Sequence, residues 1–407
     1  MKCRFCKTEL NDLFLDLGSA PPSNAFLSSD DLNDVESYFP LRLFTCRNCF
    51  LVQVDEVQKH EQIFSSDYLY FSSFSRSWLT HAENYVSKAI ERLTMGGNSL
   101  AMEIASNDGY LLQYFQQHQI PCIGIEPTAS TAKAAREKGI ETIERFFGLQ
   151  FAEEFIADNP QPDLIIGNNV LAHVPDVNDF VAGLAKTVSP DGVITIEFPH
   201  LLQLVTHGQF DTVYHEHFSY FSLHTVRKIF TAHGLRIWDV EELPTHGGSL
   251  RLWACLQTAK HEQTSAVAIL MDKEAQAGML EIAYYLGFQS RADAIKNDFL
   301  TFLLECKRDG KQVIGYGAAA KGNTLLNYAC VKPDLLPFVV DASPHKQNRF
   351  LPGTHIPVVA ETIIAELKPD FIFIFPWNLQ AEIILQLAYI RDWGGQFVTA
   401  TPRLEIY

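Results

Sequence analysis

The chain has 407 residues, 47% hydrophobic and 20% charged, which is the composition of a folded globular protein with room for two or three cores. A formal net charge of −16 excludes a general nucleic-acid or anionic-membrane partner, because no basic face offsets it. The apolar run around 371–377 is too short to cross a bilayer, and the opening Met-Lys-Cys-Arg-Phe-Cys has no apolar signal stretch, so a cytoplasmic address is expected.

In chain order, the first predicted unit is a zinc module. Cys3 and Cys6 form one C-x-x-C pair, and Cys46 and Cys49 form a second. Two such knuckles complete a tetrahedral site of four thiolates, which leaves no open position and makes the metal structural. Short strands are expected over 38–45 and 50–54, and an aromatic and serine-rich connector over 64–77. Cys122, Cys255, Cys306 and Cys330 stand in apolar surroundings and read as buried thiols.

A helix is expected over 78–93, ending at Gly96-Gly97, and from 99 strands and helices alternate. A strand over 99–104, a turn over 105–109 and a helix over 110–118 are followed by a strand over 121–125 that ends on Glu126. That is the layout of a nucleotide-binding sheet, with an acid at the tip of the second strand for ribose hydroxyls. Further strands are expected over 164–167 and 193–198, then a helix over 227–233 and a closing strand over 250–256. The turn holds only Gly109, too few glycines for a pyrophosphate. S-adenosylmethionine carries no phosphate, and Glu103, Asp108, Glu126 and Asn168 could serve its ribose and adenine; another nucleotide or a structural turn is the alternative.

Tyr214-His-Glu-His217 sets a phenol, two imidazoles and a carboxylate side by side among aromatics. Desolvation moves such groups toward neutral pKa values, so the cluster suits proton abstraction; a metal site or a polar loop is the bland reading. His246, Ser249 and Arg251 flank Gly247-Gly248 and could line a cleft, where a plain hairpin would also fit. A helical connector over 261–307, broken at Gly287, leads to a second nucleotide-type unit. Its strand over 312–315 runs into a loop rich in glycine and alanine that includes Gly317, with Lys321 at the helix start; strands over 337–340, ending on Asp341, and 370–375 follow. The loop suits a nucleotide-sugar pyrophosphate or NAD, or a tight packing turn. The expected division is 1–77, 78–260 and 261–407.

Taken in order, the cysteine pairs, the turn from Glu103 to Tyr110, Asn168 to His173, Tyr214 to His217, His246 to Arg251 and Gly315 to Asn323 resemble the sugar C-methyltransferases of deoxysugar biosynthesis. Those enzymes make C-3-methyl-branched sugars from nucleotide-linked 4-keto-6-deoxyhexoses, and the resemblance covers the whole chain. It implies an α/β fold of three parts: a zinc-binding module, a central Rossmann-like class I methyltransferase domain and a C-terminal Rossmann-like domain. By the same resemblance Glu103, Ser106, Asn107, Asp108, Gly109, Glu126 and Asn168 bind S-adenosylmethionine. Tyr68, His173, Tyr214, Glu216 and His217 surround the sugar, and Lys321 with its loop, including Asn323, holds the nucleotide diphosphate.

The chemistry expected of such a site is proton abstraction next to a ketone. His217 takes the C-3 proton, Glu216 orients it, and Tyr214 or His173 donates to the enolate oxygen. An NAD-dependent nucleotide-sugar oxidoreductase or epimerase, a sugar O-methyltransferase and a non-enzymatic scaffold are the competing readings.

Overall fold

The computed structural model describes residues 1–55 and 71–407. Its strands are β1 (Asp12–Ala20), β2 (Phe39–Thr45), β3 (Val52–Val54), β4 (Ala101–Ile104), β5 (Cys122–Ile125), β6 (Thr142–Ile143), β7 (Leu164–Asn168), β8 (Val193–Pro199), β9 (Ser219–Tyr220), β10 (Leu235–Leu243) and β11 (Ser249–Leu256). The C-terminal ones are β12 (Val313–Tyr316), β13 (Val339–Val340), β14 (Val358–Val359), β15 (Phe371–Ile374), β16 (Gln396–Thr399) and β17 (Glu405–Ile406). Among the described residues they form three sheets.

The central sheet has the order β10-β11-β8-β7-β4-β5-β6, parallel from β8 to β6 and antiparallel at β10 and β11. β4 is buried along its whole length, as a parallel strand covered on both faces must be. The chain reverses its direction of winding between β4 and β7, so a crevice opens at their carboxyl ends. The strand expected to close this sheet, β11, lies inside it, and the edge belongs to β10. In the C-terminal sheet, β14-β13-β12-β15-β16-β17, the corresponding reversal falls between β12 and β15.

The helix Arg76–Leu93 begins where the Ser75 hydroxyl accepts from the Trp78 amide and ends on Thr94 in a left-handed conformation. Its buried residues Ala82, Tyr85, Val86 and Ala89 recur at helical spacing and pack on the central sheet. The connector forms the helices Ser265–Gln276, Ala283–Leu286 and Phe288–Arg308, with Gly287 between the last two. Cys255 and Cys306 are buried and Cys122 is half-buried, but Cys330 is exposed, in the left-handed turn (φ +53°) that follows the helix Ala320–Tyr328. Among the described residues no helix is long and apolar enough to cross a membrane.

The N-terminal sheet, β1-β2-β3-β9, takes its last strand from far along the chain. Val52 pairs with Tyr220 and Gln53 with Ser219, so the segment immediately after Tyr214–His217 is a strand of the zinc module's sheet. One apolar core joins β1–β3, the 201–220 region, the connector and the C-terminal sheet through Phe14, Leu43, Phe210, Phe218, Phe288 and Leu326. The parts that carry the expected site residues are therefore packed on one another.

Candidate active site

The four cysteine sulfurs lie within 4.8 Å of one another. Individual separations are 3.6 Å for Cys3–Cys49, 3.4 Å for Cys6–Cys46 and 3.7 Å for Cys6–Cys49. Sulfurs about 2.3 Å from a tetrahedral zinc stand roughly 3.8 Å apart, so the set fits that ion. Both knuckles close in the same way: Lys7 and Phe50, four residues after the first cysteine, take positive φ and donate their amides to Cys3 and Cys46. Beside the first knuckle, Arg4 donates to the Val54 carbonyl at 3.0 Å and to the Phe218 carbonyl at 3.5 Å, and its guanidinium lies over the Phe218 ring. The zinc module thus braces the segment that follows Tyr214–His217.

At the crevice of the central sheet, Glu103 Oε1 and Oε2, Ser106 Oγ, Asp108 Oδ1 and both amide atoms of Asn168 are buried without a well-formed hydrogen bond among the described residues. A folded chain does not leave so many polar atoms orphaned at two adjacent strand ends unless a ligand satisfies them. Burial holds the Glu103 carboxyl well above its usual range, with Tyr110 opposing the effect, so a cationic ligand is favoured there. Glu126 accepts from the Asn107 and Thr128 amides at 2.8 and 2.9 Å, keeping lone pairs for ribose hydroxyls. The donor set therefore fits S-adenosylmethionine, which presents an ammonium group and two ribose hydroxyls.

Gly109 takes φ +75°, which favours glycine, and a Cβ there would meet Ile140 Cδ1 at 2.3 Å and displace it. The Asn107 side-chain oxygen accepts from the Ser72 amide, and Asp108 is bonded by Ser73 and Lys138. The short turn Ser72–Phe74 thereby closes over the crevice, a role the serine-rich connector did not advertise.

Within the Tyr214–His217 loop, the hydrogen bonds assign the tautomers. His217 Nδ1 lies 3.1 Å from the Thr212 carbonyl and must donate to it, so Nε2 carries the lone pair and accepts from the Tyr214 hydroxyl at 2.9 Å. His173 Nδ1 likewise donates to the Glu216 main-chain carbonyl at 2.9 Å, and its ring meets that of His217 edge-on. Burial pushes His217 well below its ordinary pKa, aided by His173, His246 and Lys321, and pushes His173 down to about 4. Both rings are neutral at pH 7. With Nδ1 donating, His173 carries its lone pair on Nε2, which favours Tyr214 over His173 as the donor to an enolate oxygen.

Glu216 does not orient His217; the Thr212 carbonyl does. Its carboxyl accepts instead from Asn24 Nδ2, at 2.7 and 2.8 Å to its two oxygens, and burial raises it to about 7. Tyr68 lies outside the described residues. His246 comes close to this group: its φ is +53°, its Nε2 accepts from Asn169 Nδ2 at 3.1 Å, and its ring rests against Trp78.

Ser249 and Arg251 are held by contacts within the central unit. Ser249 is buried and donates to the Thr245 carbonyl. Arg251 pairs through Nη2 with Glu197 at 2.6 Å and lies over the face of Tyr85, while its Nε is buried without a hydrogen bond among the described residues. Burial alone would raise Glu197, but His81 and Arg251 outweigh it and hold it at about 2. This buried ion pair, which also takes up His81 and Thr245, supports the loop that presents His246.

From the C-terminal unit, Lys321 donates to Asn378 at 2.6 Å and lies over the Trp377 ring, while the Trp377 indole donates to Asp211. Burial lowers Lys321 to about 8, with Asp211 opposing, and its charge depresses both His217 and His246. Lys321 therefore belongs to the histidine group. The glycine-rich loop behind it is not an open phosphate cradle. A Cβ on Gly317 would meet Pro376 Cδ at 2.5 Å, and the Ala318 amide already donates to Asp341 at 2.8 Å. Asn323 ties the units together by donating to the Ser23 carbonyl. Asn24, Asp211, Trp377 and Glu197 were not picked out by sequence reading, since each is brought to the site by contacts across the chain.

Comparison with known proteins bears on the family. Family models match as a zinc binding domain over residues 3–64, a methyltransferase domain over 78–240 and a C-methyltransferase C-terminal domain over 244–402. The C-methyltransferase NovU of Streptomyces niveus is 33% identical over 408 residues, covering 100% of this chain and 96% of that protein. Among solved structures, the magnesium protoporphyrin IX methyltransferase of Synechocystis PCC 6803 with bound S-adenosylhomocysteine is 15% identical, covering 43% of this chain and 82% of that one at a TM-score of 0.34. The PH0226 protein of Pyrococcus horikoshii OT3 is 12% identical, covering 49% and 99% at 0.38. From the full-length relative and the three family matches, the chain belongs to the S-adenosylmethionine-dependent C-methyltransferases and carries a structural zinc site.

Proposed function

We propose that the enzyme methylates C-3 of a nucleotide-linked 4-keto-6-deoxy sugar, with the parts 1–77, 78–260 and 261–407 enclosing the substrate. The observation that carries this reading is the Tyr214–His217 hydrogen bond beside the orphaned acids of the cofactor crevice. Carbon becomes a nucleophile only after losing a proton, and a neighbouring ketone makes that loss feasible. His217 offers a buried, neutral base whose tautomer is fixed by Thr212. Its lone pair is engaged by Tyr214 at rest, so substrate entry must part the two. The Tyr214 hydroxyl then donates to the ketone oxygen, where negative charge develops, and His217 Nε2 faces the C-3 proton.

When bound, S-adenosylmethionine supplies an electrophilic methyl group on sulfonium. On transfer the C-3–H bond would break, a C-3–methyl bond would form as the S–methyl bond is lost, neutral S-adenosylhomocysteine would leave, and one proton would remain on His217. The carboxyl of Glu216, raised to about 7 by burial with Asn24 opposing, gives the loop that carries His217 a group that titrates near neutral pH. Lys321 is the cation an anionic substrate meets at the histidine group. The packing of Phe375 and Pro376 against Gly315, Gly317 and Gly322 favours this reading over an NAD enzyme, which would need that loop open to a pyrophosphate.

The test is turnover of 4-keto-6-deoxy nucleotide sugars with methyl-labelled S-adenosylmethionine. Label should enter the sugar, and His217→Asn should abolish its entry while S-adenosylhomocysteine still binds. A panel of such sugars that takes up no label would sink the substrate assignment.

A further inference from the structure

The N-terminal module does more than hold zinc. Between β1 and β2 its chain passes along the central and C-terminal units: the Ser23 carbonyl accepts from Asn323, and Leu27 pairs with Phe350. At the tip of that passage stands Asn24, an exposed residue whose amide reaches a carboxyl that is itself only 3% exposed. Both Glu216 oxygens lie within 2.8 Å of Asn24 Nδ2. No ion pair to this carboxyl occurs among the described residues. A buried carboxyl with one neutral donor is expensive to keep, and a purely structural site would be served as well by an apolar residue or by glutamine.

We propose that Asn24 is a positioning residue of the reaction: its amide, presented by the zinc module, holds the Glu216 carboxyl in place and favours its ionised form in the loop that carries His217. This rests on the reading of Tyr214–His217 as the catalytic group. The titratable neighbours are Tyr214, His215 and His217 of the same loop, His173 of the 171–173 turn, which bonds the Glu216 main chain, and Lys321 of the helix Ala320–Tyr328, which acts on His217. Among these, none bonds the carboxyl itself, so Asn24 is the contact that can tune it. A hydrogen bond to the ionised form favours that form, and its loss raises the pKa.

The test replaces Asn24 with leucine, which has the same shape and no donor. In zinc-loaded, full-length protein carrying 13C-carboxyl glutamate, the Glu216 resonance is assigned by its disappearance in Glu216→Gln and titrated in wild type and in Asn24→Leu. The midpoint, at about 7 in the wild type, should rise by roughly one pH unit in the variant. A rise from about 7 to about 8 cuts the ionised fraction at pH 7 roughly fivefold, so kcat at pH 7 should fall by about that factor and recover by pH 9. Asn24→Gln, which keeps the amide, should titrate closer to wild type. An unmoved Glu216 midpoint in Asn24→Leu overturns the assignment, as does a kcat loss that is the same at every pH. Should no 4-keto nucleotide sugar be methylated by the wild type, the catalytic reading falls, and the carboxyl titration alone still decides whether Asn24 controls Glu216.

Discussion

Replacing Glu216 with glutamine should stabilise the protein at alkaline pH and leave it nearly unchanged in acid. The folded carboxyl is raised from 4.5 to about 7, chiefly by burial, with Asn24 opposing. A group whose pKa is higher in the folded state binds its proton more tightly there, so its contribution is intact below the unfolded value. That contribution is lost as the pH climbs through the folded value. The separation, 7 − 4.5, is about 2.5 units, and at 1.36 kcal/mol per unit the full loss is about 3 kcal/mol. Roughly 2.5 kcal/mol of it falls between pH 5 and pH 8. Because the carboxyl is almost wholly enclosed, solvent screening removes little of this. Urea unfolding of wild type and Glu216→Gln at pH 5 and pH 8, zinc-loaded in both cases, should show the variant gaining about that much over the interval. Contributions from other titrating groups cancel in the difference. A constant offset between the two proteins would mean that Glu216 ionises as it does in the unfolded chain, and the electrostatic account of the loop would be wrong.

Three further outcomes follow from the geometry. His217→Asn should lower kcat by about 10²–10⁴-fold while leaving S-adenosylhomocysteine affinity within a few-fold, and a loss below tenfold would remove His217 as the base. Glu103→Ala should weaken S-adenosylhomocysteine binding by roughly 10- to 150-fold, the worth of about 1.5–3 kcal/mol for a hydrogen bond to a charged group; calorimetry giving an unchanged Kd would place the cofactor elsewhere. Cys46→Ser should abolish zinc retention and increase amide exchange at 218–220, because Arg4 and β3 brace that strand. Unchanged exchange in zinc-free protein would separate the metal from the catalytic loop.

Much of this arrangement is legible in the sequence where chemistry is local. Two C-x-x-C pairs with a free geometry can hardly do anything but converge, and the acids at 103 and 126 fall at strand ends that alternation alone locates. The adjacent Tyr214, Glu216 and His217 advertise themselves by composition. What periodicity does not carry is pairing across distance. β9 is two residues long, and its membership of the zinc module's sheet depends on contacts with residues more than 160 positions earlier. β1, whose burial alternates only imperfectly, was likewise not expected. Arg251 shows the same limit: a charged residue beside a glycine turn reads as a ligand contact, and its pairing with buried Glu197 depends on a strand 54 positions earlier. The glycines of the 315–322 loop suggested a phosphate cradle, whereas Phe375 and Pro376 fill the space that side chains would need.

The most direct test of the central claim is the NMR spectrum of the sugar product formed from 13C-methyl S-adenosylmethionine and a 4-keto-6-deoxy nucleotide sugar. The account predicts a labelled methyl bonded to C-3 with the C-3 proton signal gone. A labelled methyl on oxygen, with the C-3 proton retained, would contradict it.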